Sequence, residues 1–133
     1  TLNYIEDLIK PGITTLELDS KAEDFIRSKG AKPGFKGLYG FPSTLCVSIE
    51  DEVVHGIPND RPLKDGEIIS IDVGSYLDGF YGDHAKTFSV GEIDKDIQKL
   101  YDKNVIFSFD LEVVSVTATH ESDAKIKNKF PEL

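Results

Sequence analysis

The chain has 133 residues, 24 acidic against 15 basic, and a formal net charge of −9 at pH 7. That length fits one domain, and the acidic balance excludes nucleic acid or an anionic membrane surface as the main partner, since both demand a basic footprint. Hydrophobic residues at 39% and charged residues at 29% mark an ordinary globular protein, and the lone Cys46 suits a reducing, cytoplasmic compartment.

Leu2, Ile5, Leu8 and Ile9 recur at helical spacing, and Pro11-Gly12 ends that helix. Thr14 and Glu17 form a capping box for a second helix. Its buried stripe is Leu18, Ala22, Phe25 and Ile26, and Gly30 is its left-handed cap. From Ala31 to Pro42 glycine, proline and the aromatics Phe35, Tyr39 and Phe41 indicate a structured loop. Two hairpins are expected next. One pairs Leu45–Ile49 with Val53–Ile57 around Glu50-Asp51. The other pairs Ile68–Ser75 with Phe80–Val90, since Asp78-Gly79 is a strong short-range hairpin signal. Asp94 caps a short helix with Ile97, Leu100 and Tyr101, and Val105–Val116 has strand propensity. Thr117–Leu133 is polar, lysine-rich and without a period. No apolar run approaches the roughly 18–20 residues of a membrane helix. The order of elements predicts an α+β fold with an antiparallel sheet.

Asp72 lies in a strongly apolar strand, and Asp83 follows on the returning strand. In a hairpin with a two-residue loop, paired residue numbers sum to an odd constant. An even and an odd position such as 72 and 83 therefore share a face, opposite or diagonal, with Cβ atoms about 5–8 Å apart. Like charges so placed need a proton, a lysine or a cation between them, and two such carboxylates are spaced to bridge divalent ions. The plainer alternative is that one Asp points to solvent at a strand end. The same parity in the first hairpin sets Cys46 opposite His55. That pairing makes His55 either an ordinary margin histidine or a hydrogen-bonding or general-acid group. Cys46 has no partner placed to activate it, so it is expected to form a pocket wall rather than a nucleophile.

Several ordered motifs resemble type I methionine aminopeptidase. They are Lys10-Pro-Gly-Ile-Thr-Thr-Leu-Glu-Leu-Asp19, Pro42-Ser-Thr-Leu-Cys46-Val-Ser-Ile49, Val54-His55-Gly-Ile-Pro58, Leu63-Lys-Asp-Gly-Glu-Ile-Ile-Ser-Ile-Asp72 and Asp78-Gly-Phe-Tyr-Gly-Asp83-His-Ala-Lys-Thr-Phe88-Ser-Val-Gly91. The resemblance covers residues 1–103 and leaves residues 104–133 as a strand plus polar tail of unknown origin. It implies the N-terminal half of a pita-bread (creatinase/aminopeptidase-like) fold, an antiparallel sheet with helices on one face. It also implies removal of N-terminal methionine from peptides and nascent proteins, by a water activated on two divalent ions (Co, Mn, Fe or Zn). In that scheme Asp72 and Asp83 are metal ligands and Asp83 bridges both ions. His55 contacts the scissile amide, while Cys46 and Phe41 line the methionine pocket. His84 is either a donor to the ligands or simply exposed. The second half's ligand motifs are not found in the sequence. A chain without methionine is expected not to begin at a translation start, and its length suggests about half of a two-half enzyme. The competing reading is a truncated or chimeric half-fold that acts as a binding module and self-associates through its uncovered sheet face. A proline-specific dipeptidase is the third, and Cys46 with the His55–Pro58 motif favours the methionine type.

Overall fold

A computed structural model describes residues 1–102. The strand expected over Val105–Val116 and the tail Thr117–Leu133 lie outside the described residues.

Thr1 precedes α1 (Leu2–Glu6), which buries Leu2 and Ile5. In α2 (Thr15–Ser28) the expected capping box is complete: the Thr14 hydroxyl accepts from the Glu17 N–H, and Glu17 accepts from the Thr14 N–H. The helix buries Leu18, Ala22 and Ile26. Phe25 is only half-buried, because its ring stacks on Tyr4 at 4.6 Å instead of entering the core. At the other end Gly30, with φ 79°, lets its own N–H reach the Arg27 carbonyl and the Ala31 N–H reach that of Ile26. Those two bonds satisfy carbonyls the helix leaves open.

The sheet is built around β3 (Ile68–Leu77). One edge carries β4 (Phe80–Ser89) along its whole length. The other carries β2 (Leu45–Ile49) and, further on, the two-residue β1 (Lys32–Pro33), all antiparallel. Leu45, Val47 and Ile49 of β2, Ile69, Ile71 and Val73 of β3, and Phe88 of β4 join Leu2, Ile5, Leu18, Ala22 and Ile26 in one core. The helices thus cover one face, as an antiparallel sheet with period-two burial allows. Asp94 caps α3 (Lys95–Asp102), its carboxylate accepting the Asp96 N–H at 2.7 Å.

The second expected hairpin is present, with Leu77 opposite Phe80 across Asp78-Gly79. Both turn residues have positive φ, 50° and 91°, the backbone a two-residue hairpin turn requires. The first is not. Val53–Ile57 forms no strand, and β2 pairs instead with β3, Cys46 facing Asp72. Only the Val47 N–H reaches back, to the Gly56 carbonyl at 2.9 Å. Pro58 has no N–H to extend a ladder there, and β3 offers five paired residues and an apolar face in its place.

Candidate metal and peptide site

Hairpin register decides the first question of the site. Asp72 pairs with Ala85 and Asp83 with Gly74, so the two carboxylates are diagonal neighbours. Both side chains stand on the sheet face away from the helices, and both line the same two cavities. Asp72 is half-buried and Asp83 exposed. Burial, then the neighbouring charge of Asp83 and a hydrogen bond to it, push the Asp72 carboxyl up to about 6. A carboxyl so crowded binds either a proton or a cation.

Cys46 faces Asp72 from β2. Burial and the two carboxylates push its thiol up to about 11, which keeps it neutral and unreactive at ordinary pH. His55 comes to the same cavities from the segment after β2, although it is not Cys46's strand partner. The close approach at Gly56 places it there: a Cβ on Gly56 would stand 1.9 Å from the Val47 carbonyl oxygen. Phe41 lines the second cavity with Cys46, His55, Asp72 and Asp83. His84 is the exception. It pairs with Val73, and strand alternation puts it on the opposite face from Asp83. The structure therefore does not bring it to the carboxylates.

Other contributors carried only faint sequence signals. Phe35 reaches the cavity by lying against Gly74, where a Cβ would come within 2.6 Å of its ring. Its neighbour Lys36 is tied to Glu23 of α2 at 2.5 Å. Asp19, buried in α2, accepts the N–H groups of Thr44 and Leu45 at 2.8 and 2.7 Å and so fixes the start of β2. Its spacing from Thr15, Ala22 and Ile26 puts an acid on the helix's buried stripe, and that anomaly was the available signal.

As a cation site the donor set is chemically apt and numerically small. Two carboxylates offer hard oxygen ligands suited to divalent ions. Among the described residues no group of three or more His, Cys, Asp or Glu side chains gathers to hold a metal. No described helix is long and apolar enough to cross a membrane.

The model of metallopeptidase family M24 matches residues 1–105. The methionine aminopeptidase of Clostridium perfringens is 54% identical over 100 residues, which make up 75% of this chain and 40% of that protein. The crystal structure of methionine aminopeptidase from Rickettsia prowazekii superposes with a TM-score of 0.73 at 42% identity, covering 78% of this chain and 44% of that one. The Xaa-Pro dipeptidase of Bacillus anthracis, at 23% identity and a TM-score of 0.64, covers 78% of this chain and 28% of its own, and shares the fold alone. The architecture is thus an α+β pita-bread half with helices on one face of an antiparallel sheet. The chain spans about 40% of the length of the curated relatives it matches.

Proposed function

Because the chain belongs to metallopeptidase family M24, we propose that it contributes the Asp72 and Asp83 side of a methionine aminopeptidase site. The substrate is the N-terminal methionine of a peptide or nascent protein, in the cytoplasm. The observation that carries this reading is the diagonal pair of carboxylates, sharing cavities with His55, Cys46 and Phe41. Asp72 and Asp83 would supply two carboxylate ligands toward a pair of divalent ions (Co, Mn, Fe or Zn). Such ions supply an activated water and a polarised carbonyl.

The chain's own groups do the rest. Below about pH 6, where Asp72 holds a proton, a cation would have to displace it. His55 donates a hydrogen bond to the scissile amide and steadies the charge that develops there. Cys46, kept neutral, and Phe41 enclose the methionine side chain and exclude water without competing for the carbonyl.

Release of methionine from Met-Ala-Ser, with Mn or Co supplied, by a protein that joins this chain to the remaining side of the site tests the proposal. Asp83→Asn should abolish release, and His55→Ala should lower kcat by about 100-fold or more, the range of a lost proton-transfer or oxyanion donor. Undiminished release by Asp83→Asn would overturn the assignment.

A further inference from the structure

Folding does not account for Tyr39. It sits in a short 3-10 turn, Leu38–Gly40, with φ 50° and ψ 27°. That left-handed conformation is unfavourable for any residue with a Cβ. Burial does not compensate for it, because Tyr39 is 101% exposed. Its neighbour Leu38 is also exposed, at 52%. Gly37 and Gly40 bracket the turn with φ 90° and 83°, and a Cβ on either would meet nothing within 4 Å. These glycines therefore shape the backbone and make no close packing contact. A strained backbone that presents a large apolar ring to water is found where something binds. The turn stands over the site: Leu38 and Tyr39 line the same cavity as Phe41, His55, Asp72 and Asp83. Within that cavity Cys46 is buried, Phe35 rests on Gly74, and Tyr39 is outermost.

Resting on the aminopeptidase reading, a peptide's first residue and the bond after it lie at the floor, beside His55 and the two carboxylates. The chain that follows must leave past the rim. We infer that Tyr39 is the outer wall of this peptide channel, its ring packing against the residues that follow the N-terminal one. It therefore sets how much a longer peptide gains over a single amino acid. The deeper wall handles the first side chain, and Tyr39 is indifferent to it.

The test compares methioninamide with Met-Ala-Ser whose first peptide bond is reduced to an uncleavable CH2–NH link, binding to the whole chain with Mn supplied, by calorimetry. Tyr39→Ala should weaken the tripeptide about five- to tenfold, the size of one aromatic packing contact, and leave methioninamide unchanged. Tyr39→Gly should show the same selectivity with an unfolding temperature no lower than that of the parent, because glycine tolerates positive φ. The chain has no tryptophan, so Tyr39→Trp gives an emission that reports this position alone. It should shift to the blue with the reduced tripeptide and stay put with methioninamide. Equal losses for both ligands, or an unshifted emission with the tripeptide bound, would overturn the inference and leave the aminopeptidase reading standing. Failure of the parent chain to bind either ligand would remove both.

Discussion

Asp72 is the residue where the electrostatics are most informative. Its carboxyl is raised from an ordinary value near 3.8 to about 6, by burial first and Asp83 second. An acid whose folded pKa lies above its unfolded one binds more protons when folded. Between about pH 4 and 6 the metal-free fold therefore loses stability as pH rises, and above that range the loss is constant. Two units would be nearly 3 kcal/mol for a fully buried group, and partial solvent screening reduces this to about 1–2 kcal/mol. Asp72→Asn should accordingly raise the stability of the metal-free chain at pH 7 and have no such effect at pH 4, read from urea unfolding at both values. Cys46 gives a second residue-scale check. With its thiol near 11 instead of 9, the thiolate fraction at pH 8 falls about 100-fold, and iodoacetamide labelling should slow accordingly. The carboxylate geometry was legible in the sequence because hairpin parity is local. Asp78-Gly79 fixes the turn, and everything along β3 and β4 follows from it. Of the two roles open to His84, donor to the ligands or simply exposed, the structure shows it exposed, and the same parity sends it to the other face from Asp83.

At the scale of elements, the sequence was legible wherever a signal and its consequence lie within a few residues. The Thr14 capping box, the Gly30 cap and Asp94 are of that kind. The partner of β2 was not legible. Glu50-Asp51 offered a plausible turn, but the outcome depended on competition between a nearby segment ending in Pro58 and a distant apolar strand, and the distant one won. Asp19 was hidden for the same reason: its two backbone partners lie 25 and 26 residues away. Burial raises its carboxyl, and the two N–H groups partly offset this. Asp19→Ala leaves the Thr44 and Leu45 N–H groups without an acceptor in a buried place. Each such orphan costs about 1–3 kcal/mol, so the variant should lose roughly 2–4 kcal/mol in denaturant unfolding, and amide exchange should accelerate first along β2. Unchanged protection in β2 would show that Asp19 does not organise that strand.

For the molecule as a whole, the sheet divides two tasks between its faces. One face, under α1 and α2, holds the core. The other presents Cys46, Asp72 and Asp83, reached by His55 from one loop and by Phe35 and Phe41 from another. On the proposed reading the second face carries the chemistry, and two of the 24 acids would stand there to hold cations. With a net charge of −9, however, the chain attracts divalent ions everywhere, so bulk binding alone is uninformative. The most direct test is site-resolved: paramagnetic broadening of backbone amide signals as Mn is added to the whole chain. Signals around Asp72, Asp83, Cys46 and His55 should vanish first at substoichiometric Mn, and Asp83→Asn should abolish that selectivity. Uniform broadening, or broadening led by another acidic stretch such as Glu50–Glu52, would contradict the account.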